Sequence, residues 1–481
     1  MNKRLILRLL GLLLLVEALA MLPSLGVALI YGNQRDIFAL LQPMVLLTLV
    51  ALPPTLFSRP KKQDLRAREG FVVVALAWVL MSIFGALPFL FSGLLPSFAD
   101  ALFESVSGFT TTGGTVLTDY SNTLRGVMFW RSFTHWIGGM GVLVLTLALL
   151  PRLTGRTAHL VRAESPGPSL SKIVPKMGDS AKILYVIYTL LTLAMFFALW
   201  IAGMGPYEAA LHALGTAGTG GFGSRVDSVA GFHSLAIEMV ITVFMLLFGV
   251  NFALYYRVGT GGWREALKSE ELRWFAGIYG GSVLILTLML LPQTGNLWES
   301  LRLTTFHTAS IMSTTGFTTA NIDLWPQGAR ALTVLLMFFG SCAGSTAGGM
   351  KIVRIALLMK SGKREISRAF RPRRVEVIRF EGKRVDEEML SGVGTFALLY
   401  VVLILLGTVA LSLENRFGFD TYFTAALTCV SNVGPGLGEV ANGFAAFSPG
   451  SKYIMCFLML CGRLELYPVL VLFHPSIWRR N

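Results

Sequence analysis

Four short stretches of this 481-residue chain carry glycine beside threonine, serine or asparagine in the same order. They are TTTGG ending at Gly114, GTAGTGGFG ending at Gly223, STTGFTTAN ending at Asn321 and SNVGPG ending at Gly436. Such residues suit one kind of chemistry. Backbone carbonyls can replace the water around a cation when successive oxygens turn to one side, through conformations that glycine permits and other residues resist. The residues for that role are Thr111, Thr112 and Gly113; Thr219, Gly220 and Gly221; Thr314, Thr315 and Gly316; and Asn432, Val433 and Gly434. Thr110, Thr216, Ser313 and Ser431 can pack hydroxyls behind them. A single motif of this kind reads as a tight turn, but four at matched places between apolar runs read as one site.

The spacing supports a repeat. Gly113, Gly221, Gly316 and Gly434 are separated by 108, 95 and 118 residues. Asp119, Asp227, Asp323 and Glu439 follow them by six, six, seven and five residues. At a pore mouth these carboxylates would concentrate cations; as caps they would only start the next helix. Both readings are open. Nine residues before each glycine stand Glu104, His212, His307 and Ala425, which supports the alignment but is no metal-ligand set.

The elements that must hold these loops follow from composition. The chain is 54% hydrophobic and 14% charged, with mean hydropathy +0.64, against roughly 25% charged in soluble domains. It reads as a membrane protein, and Leu5 to Ile30 is too long for a cleaved signal core and is expected to stay as a span. Runs long enough to cross hydrocarbon centre on 5–30, 36–57, 70–93, 124–150, 181–203, 232–256, 273–292, 328–359, 391–413 and 452–473, ten in all. Segments 1–8, 58–69, 151–182, 257–273, 351–384 and 479–480 hold 32 of the 41 Lys and Arg, which puts both termini in the cytoplasm. Topology thus accounts for the net charge of +14 without a nucleic-acid partner. The four cysteines all lie in apolar or pore-like sequence and read as buried small side chains.

The fold expected is all-α and polytopic: four tandem units of span, pore loop and span around one pore, plus an N-terminal helical pair. The boundaries are 1–65 for the pair, then 66–175, 176–268, 269–385 and 386–481 for the units. Each unit places a half-length helix of about ten to twelve residues before its glycine loop. Exposed loop backbone at membrane depth is tolerated only inside protein or beside water, as a re-entrant loop around a shared axis would be.

Two further features belong to this frame. The span 328–359 contains Gly340, Gly344, Ser345, Thr346, Gly348 and Gly349 and is expected to unwind there, as a movable gate or for close helix packing. Arg463 in the last span faces the conduction path or pairs with another helix. The run Lys360 to Arg384, ten basic and three acidic residues with a hairpin near Gly382, either docks a partner or touches anionic lipid.

TTTGG, STTGFTTAN, SNVGPG, GSCAGSTAGGMK and the GRLE of the last span resemble, together and over nearly the whole chain, the TrkH family of bacterial potassium-uptake membrane subunits, within the Trk/Ktr/HKT superfamily. The resemblance implies a potassium-channel-like fold in one chain, with a gated potassium-selective pore in a multi-pass protein of the bacterial inner membrane, no bound cofactor, a homodimer, and regulation by a cytosolic nucleotide-binding ring of the TrkA kind. It implies K⁺ sites at the loop residues named above, a gating loop at Gly340 to Gly349 and a pore-facing Arg463. Gly113, replaced by serine in sodium-preferring plant relatives, favours potassium. Two other classes compete. A proton- or sodium-coupled symporter needs ionisable residues buried in the path, and few besides Arg463 and Glu465 offer themselves; a membrane enzyme leaves the four loops without a purpose.

Overall fold

The structure is a computed structural model that describes residues 2–58, 67–120, 124–141, 177–371 and 376–472. The end of the expected span 124–150, most of the basic segments 58–69 and 151–182, residues 372–375, the boundaries at 65/66 and 175/176, and residues 473–481 lie outside them.

Four half-length helices organise the described chain: Phe98–Phe109, Pro206–Ala217, Leu297–Met312 and Phe419–Ser431. The third is longer than expected because Asn296 caps it early, its Oδ1 accepting from Trp298 N and Glu299 N. Each is preceded by an outer helix, respectively Ala67–Gly85, Met177–Ile201, Glu270–Thr294 and Glu387–Ser412. Each is followed, after its glycine loop, by an inner helix: Arg125–Gly139, Leu235–Gly249, Gln327–Met337 and Pro449–Arg463. Every half-helix packs on its own outer and inner helices and also on the inner helix of the unit before it, with the first half-helix packed on the fourth inner helix. The contacts therefore close a circle.

The N-terminal helices Lys3–Ala20, Leu22–Tyr31 and Gln34–Phe57 lie against the first unit. Buried Asp36 accepts hydrogen bonds from Gly126 N at 2.6 Å and Val127 N at 3.0 Å, so it caps the first inner helix from outside the circle. This cover explains a difference in burial. The apolar window of Glu69–Phe91 is 61% buried, whereas those of Ala181–Ile201, Glu270–Thr294 and Glu387–Ser412 are 28–33% buried and show leucine, valine and phenylalanine to their surroundings. Surfaces so apolar require lipid as solvent.

Two spans expected to be continuous, 232–256 and 452–473, are broken. Within 232–256 the helix stops at Gly249 and restarts at Phe252, bent by 92°. Asn251 causes the restart, its Oδ1 accepting from Ala253 N at 2.9 Å. Within 452–473 the helix ends at Arg463, and Glu465 and Leu466 take left-handed φ of 53° and 66° before Tyr467–Leu472 resumes. The third inner helix stops at Met337, and Ile352–Phe370 begins only after an irregular loop, where the glycines predict an interruption. On the basic segment, Arg379–Phe380 pairs antiparallel with Lys383–Arg384, and Glu381 and Gly382 turn the chain with φ of 50° and 73°.

Candidate functional site: a ring of four glycine loops

The four loops share one backbone. Thr111, Thr219, Thr314 and Asn432 have left-handed φ of 56°, 55°, 55° and 53°. Two residues on, Gly113, Gly221, Gly316 and Gly434 have φ of 78°, 76°, 82° and 100°. In each loop the residue before the glycine donates its N–H to a carbonyl five residues earlier: Thr112 to Ser107, Gly220 to Gly215, Thr315 to Ser310, and Val433 to Thr428, over 2.9–3.1 Å. Left-handed threonines are costly for isolated chains, so the same strain at three of the four places, with the more tolerant asparagine at the fourth, marks a surround that fixes it.

The glycines meet one another around the circle. A Cβ at Gly113 would overlap the carbonyl oxygen of Gly220, one at Gly221 that of Thr315, and one at Gly316 that of Val433; one at Gly434 would stand 2.6 Å from that of Thr112. Each loop thus abuts the next, and the fourth returns to the first. Asn432 ties that last junction, its Nδ2 donating to Thr112 Oγ1 at 2.9 Å and to Met459 O at 3.0 Å. Behind the ring, Ser107 Oγ donates to Gly114 O at 2.6 Å and Ser310 Oγ to Phe317 O at 2.7 Å. The pairs Thr110 with Thr112, and Ser313 with Thr315, share hydroxyl hydrogen bonds. The half-helices end at the ring, so their partly negative C-termini converge on it.

The irregular loop of the third unit lies beneath. Ser341 Oγ donates to Met312 O at 2.8 Å and Gly348 N to Thr314 Oγ1 at 2.7 Å. Cys342 N reaches Gly249 O and Phe252 N reaches Gly344 O, both at 3.1 Å, so the loop fills the break in the second inner helix. Ala343 N donates to Glu271 Oε1 at 2.6 Å. Ser345 Oγ donates to Cys342 O within the loop, while Gly340 N and Met350 O close its neck. A Cβ at Gly340 would overlap Gly348 O, and one at Gly348 would come within 2.6 Å of Ser431 O. Arg463 spans the same level. Its Nη1 donates to Thr346 O at 2.9 Å and its Nη2 to Gly138 O and Gly139 O at 2.6 and 2.7 Å. Glu465 instead pairs with Arg354 at 2.5 Å.

The acidic residues do not behave alike. Asp119 and Asp227 are exposed. Asp323 accepts from Gly438 N at 3.0 Å and from Arg330 at 3.3 Å, bracing the third loop against the fourth, and Glu439 is half-buried in the turn Gly438–Asn442. Sequence reasoning missed several side chains that hold the loops. His135 Nδ1 bonds Gly108 O at 2.8 Å and its ring fills the space beside Gly220. Arg131 pairs with Glu104. A histidine and an arginine on a helix of otherwise apolar character were the available signal.

Four half-helices closing a carbonyl-lined ring, carried on helices with lipid-ready faces, define a polytopic membrane transport protein for a cation. The sequence profile of TrkH, described as a cation transport protein, matches residues 39–261 and 296–480. The chain belongs to the TrkH family. It is 38% identical over 494 residues to the Trk system potassium uptake protein TrkH of Salmonella typhimurium and 37% identical over 492 residues to that of Escherichia coli K12, with all of each chain covered. It is 34% identical to TrkG of Escherichia coli K12 over 98% of this chain and 97% of that one. The crystal structure of the potassium transporter TrkH from Vibrio parahaemolyticus matches with a TM-score of 0.90 and 33% identity over the full length of both chains. The chain is therefore a multi-pass membrane transporter and not an enzyme.

Proposed function

We propose that this chain carries potassium into a bacterial cell across the cytoplasmic membrane, through one gated pore whose narrowest part is the glycine ring. The observation that carries the reading is the circular abutment of Gly113, Gly221, Gly316 and Gly434, each beside the carbonyl of the next loop. Oxygens from Thr111, Thr112, Thr219, Gly220, Thr314, Thr315, Asn432 and Val433, with those of the glycines, would replace the water shell of K⁺. The names of the full-length relatives support potassium as the cation. The loop from Gly340 to Gly349, with Gly344, Ser345, Thr346 and Gly348, is the gate, and Arg463 is its latch. Asp119 and Asp227 draw cations to the outer mouth, with Asp323 and Glu439 contributing field, Asp323 while also bracing the third loop against the fourth.

The units run 66–175, 176–268, 269–385 and 386–481, with 1–65 as an added pair, and both termini face the cytoplasm. The protein acts as a homodimer, and a cytosolic nucleotide-binding ring of the TrkA kind works on its basic face; the relatives belong to a Trk system, which supports other components. The test is cation flux into liposomes holding the purified chain, comparing K⁺, Rb⁺, Na⁺ and Li⁺ with and without a proton gradient. Passive flux selective for K⁺ and Rb⁺ is expected. Flux that requires proton or sodium entry would replace the channel-like reading with symport.

A further inference from the structure

One buried ion pair lies outside the ring and touches two of its loops. Glu104 on the first half-helix and Arg131 on the first inner helix are each 1% exposed and meet at 2.6 Å. Glu104 also accepts from Thr115 Oγ1 at 2.8 Å through Oε1 and from Val116 N at 2.9 Å through Oε2. It therefore holds the chain two and three residues beyond Gly113. Arg131 Nη1 donates to Gly223 O at 3.2 Å, and its guanidinium lies 3.5 Å over the ring of Phe222. It holds the chain one and two residues beyond Gly221.

From the equivalent half-helix positions the third and fourth loops are gripped by uncharged side chains. His307, equivalent to Glu104, accepts at Nε2 from Thr319 N and Ala320 N at 3.4 and 3.2 Å. In the fourth unit Ala425 has no polar atom, and its neighbour Thr424 accepts from Leu437 N at 3.0 Å. His212 stacks on Phe317 with centroids 5.5 Å apart. Arg330 and Asp323 beside the third and fourth loops are partly exposed, so among the described residues the pair between the first and second loops is the fully buried one. Its members are bound by necessity: with either one neutralised, the other is an uncompensated charge away from water, and the limbs it holds must shift or admit water.

We propose that Glu104 and Arg131 are positioning residues for ion discrimination, fixing the separation of the first and second loops and so the width at which the ring's carbonyls hold a cation. The assignment rests on the reading of the ring as the selective site. A ring held open at one width disfavours the smaller Na⁺, which gains only if the oxygens close in. A staple that served folding alone would change stability and leave discrimination as it was.

The experiment uses the full chain in liposomes and measures K⁺ against Na⁺ uptake for wild type, Glu104→Gln and Thr115→Val, with thermal unfolding in detergent to verify folding. Glu104→Gln is expected to lower the K⁺/Na⁺ ratio about tenfold. Thr115→Val, which removes one arm of the grip and leaves the charges, should lower it by a smaller factor. Folded Glu104→Gln protein with wild-type discrimination overturns the assignment; if that variant fails to fold, an unchanged ratio in Thr115→Val overturns it instead. A wild type that passes Na⁺ as readily as K⁺ overturns the reading of the ring, and this assignment with it.

Discussion

Arg463 donates to the carbonyl oxygen of Thr346 at 2.9 Å while the other arm of its guanidinium holds Gly138 and Gly139. A residue of the fourth inner helix thus ties the third unit's loop to the first inner helix. Charge-assisted hydrogen bonds contribute about 1.5–3 kcal/mol each. Arg463→Gln removes the charge and at least one arm, so K⁺ flux into liposomes should rise severalfold or more relative to wild type. Unchanged or lower flux would deny the latch.

The bond from Gly348 N to Thr314 Oγ1 joins the loop to the ring itself. Thr314→Val keeps the shape and removes the acceptor, leaving a buried N–H unpaired at a cost of about 1–3 kcal/mol. With the loop as the proposed gate, that cost falls on the arrangement in which it is seated against the ring. Flux should rise about tenfold with little change in the K⁺/Rb⁺ ratio, measured by isotope uptake.

Gly113 has φ of 78° and no room for a Cβ against Gly220 O. Gly113→Ser must push the first two loops apart. The expected result is a K⁺/Na⁺ preference reduced by about tenfold or more, read by competition flux, in protein that still purifies as a folded species.

Between the fourth outer helix and its half-helix, burial pushes the Glu414 carboxyl up, but Ser451 Oγ, Ser448 N–H, Arg416 and Ser448 Oγ donate to it and hold it below its ordinary value of 4.5. A depressed folded value means stabilisation that is present above the unfolded value and lost as pH falls through the folded one. Glu414→Gln should therefore unfold at lower temperature than wild type at neutral pH, and the difference should shrink as pH drops below 4.5. A difference constant with pH would show that the carboxylate charge is not what stabilises this corner.

Much of this was legible beforehand. The four loops announce themselves because backbone geometry demands particular residue types, and Gly113, Gly221, Gly316 and Gly434 cannot be replaced without a sign in the sequence. The interruption near Gly340 is legible for the same reason. The break at Val250 and Asn251 was not, since one asparagine in a long apolar run is a small signal and the cause, the loop packed into the gap, lies about a hundred residues further along the chain. Arg463 was expected to find a side chain or the ion path; its guanidinium lies 6.0 Å over the Trp78 ring and also donates to three carbonyls, which every residue carries and no sequence displays. Glu104 drew notice only as an alignment mark, because its value depends on Arg131, 27 residues later on another helix.

The ring has a counterpart in each quarter of the circle, but among the described residues the loop beneath it hangs from the third unit alone. An assembly of four identical chains has four gates, which can move one by one and give intermediate conductance levels. With that loop as the proposed gate, a single obstruction would serve the whole passage, and opening would be one event with one barrier. Dwell times at each level should follow single exponentials, and whatever acts on the cytosolic face needs to reach only one quadrant to switch the entire flow.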